Sequence, residues 1–330
     1  DFRVRLNCEI MKKRLVIFIF FLCISVASGI AQLNPQFSQY MEVPSAVNPA
    51  SIARDEMISV FGVYRLQWVG YSGAPVDMMF SFTMPFKIGD SKHGLGLVFL
   101  SDEIGLFKNQ SVLLQYSYKL KVSSGTLGLG LNIGFINQTF DKEAVDFVGG
   151  DGEVMAGDEY HESGDPIVDA FASAESNDVA FDVSFGCEYR QEDFYVGLSV
   201  LHLNSGRFNY GSDAYELYAP RIFALSGAYK LQMRKPNWGF IPSAMLRTNF
   251  SSWQCELTGL LEYSKRVRGG ISYRFGDAFV FLFGVDIING LRLCYSYDLP
   301  TTRLIRSGGS HEVSLRYSFK PQFTKKNKYK

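Results

Sequence analysis

A strict alternation of apolar and polar residues, sustained over unusually long stretches, limits the folds open to this chain more than any other feature. The stretch 309–319 shows it most clearly. One side of an extended strand there would carry Val313, Leu315, Tyr317 and Phe319. The other side would carry Glu312, Ser314, Arg316 and Ser318. Because successive side chains of a strand point to opposite faces, this pattern suits a strand between lipid and a polar interior.

The same alternation begins at residue 58 and defines fourteen candidate strands. They cover 58–66, 75–86, 93–101, 109–121, 125–139, 178–190, 194–203, 221–232, 238–249, 253–263, 267–275, 278–288, 291–299 and 309–319. A soluble β-sandwich would give the same alternation, but its strands usually have about 5–6 residues, whereas a tilted membrane-spanning strand needs about 9–11. The lengths therefore predict an all-β fold, a transmembrane antiparallel β-barrel of about 14 strands. The barrel would occupy residues 58–319, after a short non-barrel N-terminal segment.

The connections between the candidate strands carry a second signal. Short connections follow the even-numbered strands at 122–124, 191–193, 264–266 and 289–290. The long connections all follow odd-numbered strands, at 67–74, 140–177, 204–220 and 300–308. Bacterial barrels have short periplasmic turns and longer outer loops. The pattern therefore predicts that both ends of the barrel lie in the periplasm and that strand 309–319 closes on strand 58–66.

The N-terminal region has the features of an export signal. Residues 1–10 resemble translated upstream sequence, and residues 11–31 combine a basic start, an apolar run and small residues before a cut after Ala31. Residues 32–57 contain Pro35, Pro44 and Pro49 and show no sustained period, so we expect a periplasmic N-terminal segment there. The prediction is export to the outer membrane of a Gram-negative bacterium. A net charge of zero excludes a nucleic-acid binder driven by overall basicity.

The charges expected to face the barrel interior alternate in sign. They are Arg65, Lys119, Asp182, Glu188, Glu256, Glu262, Arg268, Arg274, Asp286, Arg292, Asp298, Glu312 and Arg316. A selective ion pore would more naturally carry one dominant sign, whereas a balanced interior can pair its own charges. The alternation favours a structured or plugged lumen over an open one.

Two segments are strongly charged. The outer loop 141–177 carries eleven acidic residues against the single Lys142. A solvated surface loop explains this best, with a calcium-ordered loop or a contact for a basic partner as alternatives. The basic tail 320–330 contains five lysines and no acid, and is either disordered or a periplasmic contact for a partner or peptidoglycan.

The sequence contains few arrangements of residues that are typical of an active site. The four histidines, at 93, 161, 202 and 311, lie in unrelated settings. The sequence Gly197-Leu198-Ser199-Val200 lacks the second glycine of a nucleophile elbow. His311 is flanked by Ser310 and Glu312, but neighbours in a strand point to opposite faces and cannot converge on one proton relay. We therefore predict no enzyme, no catalytic residue, no metal and no cofactor, apart from the calcium alternative in the acidic loop.

An ordered set of short motifs resembles the PorP/SprF family of outer-membrane proteins of the type IX secretion system. The motifs are Gln36-Phe37-Ser38-Gln39-Tyr40-Met41, Asn48-Pro49-Ala50, Arg65-Leu66-Gln67-Trp68, Ala74-Pro75, the stretch 196–203, Tyr295-Ser296-Tyr297-Asp298 and Gly309-Ser310-His311-Glu312. The resemblance covers the predicted mature chain in order, and the acidic loop is not part of it.

The resemblance implies a barrel that supports secretion or surface attachment of effector and adhesin proteins, and gliding motility, by binding proteins. The implied partners are ring or peptidoglycan-binding lipoprotein components of the system, secreted clients with a C-terminal sorting domain, and outer-membrane lipid, with no nucleic acid. Candidate partner-binding residues are Asn48, Pro49, Ala50, Arg65, Gln67, Trp68, Ser310, His311 and Glu312. The alternative function is an outer-membrane porin or substrate-specific channel.

Overall fold

The structure of the 330-residue chain is a computed structural model that describes residues 35–105, 107–140, 177–210, 215–233 and 237–321. Its strands are β1 (Ile58–Leu66), β2 (Val76–Ile88), β3 (Ser91–Ile104), β4 (Phe107–Val122), β5 (Gly125–Phe140), β6 (Asn177–Arg190), β7 (Phe194–Leu201), β8 (Arg207–Tyr210), β9 (Tyr215–Tyr218), β10 (Ile222–Tyr229), β11 (Leu231–Gln232), β12 (Trp238–Thr248), β13 (Trp253–Tyr263), β14 (Val267–Arg274), β15 (Ala278–Ile288), β16 (Leu291–Pro300) and β17 (Ser310–Phe319). Three 3-10 turns, η1 (Pro44–Ala46), η2 (Pro49–Ser51) and η3 (Arg303–Arg306), complete the elements.

The strands close into one antiparallel barrel. Each barrel strand pairs with its neighbour in the chain, β7 pairs with β10, and β10 pairs with β12. The barrel closes where β1 pairs with β17, from Ile58 opposite Phe319 to Leu66 opposite His311. Strands β8 and β9 form a separate hairpin, and β11 is a two-residue strand paired with β12. The predicted antiparallel barrel of fourteen strands, closed by its last strand on its first, is therefore confirmed.

The alternation of the sequence becomes an outer and an inner face. On β15, Phe279, Phe281 and Phe283 point outward and are about half exposed, while Val280 and Leu282 between them are buried. An apolar outer surface of this kind is what lipid requires. Within the residues that the structure describes, no helix is long and apolar enough to cross a membrane.

The turns at the two ends differ as the sequence predicted. At one end, called the short-turn end, tight turns such as Asn289-Gly290 join the strands, and Gly290 adopts a φ of +88° that favours glycine. The other end, called the long-loop end, carries residues 67–75, the β8–β9 hairpin and the η3 loop 301–309. The sequence did not predict the β8–β9 hairpin, because its two short strands lack a long alternation of apolar and polar residues.

Residues 35–57 lie inside the barrel, which corrects the periplasmic placement expected from the sequence. Their side chains and backbone contact inward-facing residues of the strands, and most of them are buried. The physical reason is that the barrel interior is wide enough for a segment of chain and lined with groups that need partners. The predicted signal 11–31, the acidic loop at 141–176 and the tail from residue 322 lie outside the described residues.

Candidate functional site

The interior of the barrel is filled by residues 35–57, called here the luminal segment. Proline opens each of its two 3-10 turns, and the Asn48 side chain accepts a hydrogen bond of 2.9 Å from the Ala50 N–H. Phe37 and Val43 pack with wall residues of β1, β2 and β3. Tyr40 and Val47 pack on the opposite wall, against residues of β10 and β12. The segment therefore spans the lumen and supplies its apolar core.

Beside the seam where β1 pairs with β17, the luminal segment contacts a buried cluster of charged side chains. The Ser38 N–H donates to Glu312 Oε2 at 2.7 Å, and the Gln39 N–H donates to Glu312 Oε1 at 3.0 Å. Ser38 Oγ donates to Asp298 Oδ1 at 2.8 Å. Since Glu312 belongs to the last strand and Asp298 to its neighbour, the segment ties these strands together from inside.

Two arginines neutralise these carboxylates. Arg65, on the first strand, reaches Asp298 at 2.8 Å and Glu312 at 3.3 Å. Arg274 contacts Asp298 at 3.0 Å and Glu256 at 3.0 Å. We call Ser38, Arg65, Arg274, Asp298 and Glu312 the seam cluster. Its four ionic side chains are at most 2% exposed, so each depends on its partners, because an unpaired charge at such depth is strongly destabilising.

Glu42 forms a second ionic anchor closer to the short-turn end. Its carboxylate lies 3.0 Å from Arg268, 3.3 Å from Arg292 and 3.0 Å from Arg316. Burial by itself would raise the pKa of Glu42, but the charges of Arg316, Arg268 and Arg292 outweigh it and lower that pKa to about 2. Three strands of the wall therefore meet at one acid of the luminal segment.

The second half of the luminal segment, residues 48–54, is held mainly by shape complementarity with the wall. It packs on four inward-facing glycines of β5, β6 and β7, called here the glycine trench: Gly128, Gly130, Gly186 and Gly197. A Cβ added at Gly128 would lie 2.8 Å from the Ala50 carbonyl oxygen, and one at Gly197 would lie 2.6 Å from Asn48 Nδ2. A Cβ at Gly130 would overlap the backbone of Pro49 and Ala50. The wall thus lacks side chains where the segment runs against it.

Hydrogen bonds and a salt bridge fix this half in place. Asn48 Nδ2 donates to the Cys187 carbonyl at 3.0 Å. Near the short-turn end Arg54 pairs with Glu188 and stacks 4.2 Å over the Tyr195 ring. A cavity of about 260 Å³ remains beside the segment at this end, lined in part by Arg54, Glu42 and Tyr195.

The predicted partner-binding residues divide among several places, and most of them face the lumen. Asn48, Pro49 and Ala50 lie in the glycine trench, while Arg65 and Glu312 belong to the seam cluster. Gln67 also faces inward, where its amide donates to Asp77 at 2.7 Å.

The remaining candidates lie at the rim and on the outer wall. The Trp68 N–H donates to Ser310 Oγ at 3.2 Å at the long-loop rim. His311 points outward, where its Nδ1 lies 2.8 Å from the Tyr295 hydroxyl. The structure therefore joins Arg65 with Glu312 and Trp68 with Ser310, but it gathers the nine residues into no single surface.

Sequence reasoning missed the residues of the luminal segment that hold the site together. Ser38, Glu42 and Arg54 were not singled out as partners of the wall, although Ser38 lies in a motif noted above. The signal available was the inward-facing Arg316, whose salt bridge among the described residues is with Glu42, whereas Arg268 and Arg292 also pair with the wall acids Glu262 and Asp286. The predicted pairing of lumen charges is confirmed, as Glu256 with Arg274 and Glu262 with Arg268 show.

A closed barrel whose interior is filled by its own N-terminal segment defines a transmembrane β-barrel protein with a plugged lumen. The chain belongs to the PorP/SprF family of type IX secretion system membrane proteins, whose family model matches residues 29–317. This confirms the family resemblance of the motifs. Family and fold are those of a secretion-system or channel outer-membrane barrel, not of an enzyme family.

Solved structures with a similar outline are bacterial barrels of low sequence identity. A Pseudomonas aeruginosa FadL homologue is 12% identical, with 88% of this chain and 95% of that chain covered and a TM-score of 0.48. The Ralstonia pickettii toluene transporter TbuX is 10% identical, with 83% and 92% covered and a TM-score of 0.47. Acinetobacter baumannii Omp33 is 8% identical, with 80% and 97% covered and a TM-score of 0.45. No curated protein matches the chain.

Proposed function

We propose that this protein is an outer-membrane component of the type IX secretion system that acts by binding protein partners and not by conducting solutes. Family membership supports the place in the secretion system. The observation that carries the mode of action is the luminal segment, which occupies the space that a channel would need for its solute. The proposed role is to support secretion or surface attachment of effectors or adhesins, and gliding motility.

The competing proposal is a porin or a substrate-specific channel. An open porin needs a continuous water path lined by groups that an ion or solute can exchange with water. Here Asp298 and Glu312 are paired with Arg65 and hydrogen-bonded to Ser38. Emptying the lumen would remove the hydrogen bonds that Ser38 and Gln39 donate to these carboxylates, each worth about 1.5–3 kcal/mol because the acceptor is charged. The filled lumen therefore favours a binding protein.

The two ends of the barrel are assigned different partners in this proposal. The long-loop end would face the cell surface and meet secreted clients that carry a C-terminal sorting domain. The short-turn end would face the periplasm and meet ring or peptidoglycan-binding lipoprotein components. The assignment follows the usual asymmetry of bacterial barrels, with short periplasmic turns and longer outer loops.

The proposal is tested by deleting the gene and by isolating the tagged barrel from the cells that make it. We expect secreted effectors to be retained in the deletion strain and ring, lipoprotein or client components to accompany the barrel. Normal secretion, combined with recovery of no secretion component, would sink the proposal. A defect in uptake of small solutes without any secretion defect would establish the channel alternative.

A further inference from the structure

The loops 67–75 and 301–309 form one preorganised surface at the long-loop end, called here the rim platform. The Val69 N–H donates to the Gly309 carbonyl at 2.8 Å, and the Gly308 N–H donates to the Val69 carbonyl at 2.7 Å. The loops are close together at Gly308, since a Cβ there would lie 3.2 Å from the Val69 carbonyl oxygen. The two loops are thus joined by backbone hydrogen bonds above the strands β17 and β1.

Each loop is also fixed internally. Within loop 67–75, the Gln67 N–H donates to the Pro75 carbonyl at 2.9 Å. Within loop 301–309, Thr302 caps the η3 turn, and Ser307 Oγ donates to the Leu304 carbonyl at 2.7 Å. A surface that is already ordered loses less conformational entropy when it binds a partner. The platform therefore has the rigidity of a binding surface.

The platform exposes apolar side chains together with positive charge. Val69, Tyr71 and Ile305 are 39%, 45% and 59% exposed, and they lie beyond the ends of the lipid-facing strands. Arg303 and Arg306 are exposed as well, and neither forms a salt bridge with any residue that the structure describes. Neither loop contains an acidic residue. This composition, apolar and aromatic groups beside arginines without a salt bridge to a described residue, is characteristic of protein interfaces.

We infer that the rim platform is a docking surface for a protein segment that carries acidic side chains beside apolar ones. The inference rests on the proposed function and gives the chemistry of one partner surface. Arginine binds carboxylates through two parallel hydrogen bonds. The apolar groups of the platform would be covered by the apolar side chains of the same segment.

The test places a photo-crosslinking amino acid at Ile305 of the full-length protein in the cells that make it. We expect an adduct with a protein, and the crosslinked peptide identified by mass spectrometry should contain acidic and apolar residues. The double variant R303E/R306E should lower the adduct yield about tenfold, because charge reversal at a close pair costs at least that factor in affinity. The variant R303K/R306K should retain most of the adduct.

A matched control makes the same change of charge at the opposite end of the barrel. The variant K265E/R266E alters the exposed short turn after β13 and should leave the adduct unchanged. The inference is overturned by the absence of an adduct, by an adduct with lipid or with a basic segment, or by a yield that R303E/R306E does not lower. The tagged barrel is isolated in parallel. Recovery of secretion components despite such a result refutes the platform alone, whereas their absence refutes the proposed function.

Discussion

The two halves of the luminal segment are held in the barrel by different kinds of interaction. The half from 36 to 42 is bound mainly by charge, through Ser38 and Gln39 on Glu312 and through Glu42 on three arginines, beside the apolar contacts of Phe37 and Tyr40. The half from 48 to 54 is bound mainly by shape, because its backbone fills the glycine trench. The first half depends on charged side chains of the wall. The second half depends on glycines, where the wall has no side chain and leaves space for the backbone of the segment.

This difference assigns the halves different tasks. The charged half lies across β14, β16, β17 and β1, so it reinforces the seam where the barrel closes. The trench half lies against β5, β6 and β7 on the other side of the lumen, where consecutive hairpins need no such help. We therefore expect charge changes to weaken closure of the barrel, and added side chains in the trench to release the segment.

The largest expected effect is that of Arg65→Met, which removes the cation shared by Asp298 and Glu312. The free energy of unfolding of the barrel in detergent should fall by roughly 3–5 kcal/mol, because two buried carboxylates lose a partner. Chemical unfolding followed by tryptophan fluorescence measures it. Arg303→Met, at an exposed arginine of the rim platform, is the control and should change stability by no more than about 0.5 kcal/mol. Equal effects of the two variants would refute the seam cluster.

The second prediction concerns Glu42→Gln and pH. The pKa of Glu42 is lowered from 4.5 to about 2 in the folded protein, so its carboxylate stabilises the fold above pH 4.5 and this contribution is lost as the pH falls towards 2. At pH 7 the variant should be less stable by roughly 3 kcal/mol. The difference between wild type and variant should narrow below pH 4.5. A difference that stays constant from pH 7 to pH 3 would contradict the ionic anchor.

The third prediction tests the half of the luminal segment that lies in the glycine trench. Gly130→Val places a Cβ where the backbone of Pro49 and Ala50 lies, at a cost of about 1–3 kcal/mol, and should release the trench half. Trypsin should then cleave after Arg54, which is nearly buried in the wild type. Gly62→Val is the matched control, because nothing lies within 4 Å of a Cβ added there. Cleavage at Arg54 in the control or in the wild type would count against the trench.

The barrel could be predicted from the sequence because its determinants are local and repeated. Alternation over long stretches fixes the strand faces, and the Asn289-Gly290 turn fixes a hairpin. The contact between Ser38 and Glu312 joins residues 274 positions apart. Residues 35–57 have no period to exploit, so neither their position in the lumen nor their partners could be inferred from pattern alone.

The glycines of the wall show the same limit in another form. Gly128 and Gly130 alternate within a strand, and the sequence indicates only that they do not form a phosphate-binding loop. Their role depends on which piece of chain lies opposite, which is a tertiary fact. Similarly, the balanced charges predicted a structured lumen, but not that Glu42 and Ser38 would complete it.

The central claim is that residues 35–57 block the lumen of the barrel. A conductance measurement tests this claim most directly. The purified full-length protein is inserted into a planar lipid bilayer and its current is recorded at fixed voltage, beside the Gly130→Val variant. We expect no large conductance steps from the wild type and more frequent openings from the variant. Steady large steps from the wild type, unchanged by Gly130→Val, would contradict a lumen filled by the luminal segment.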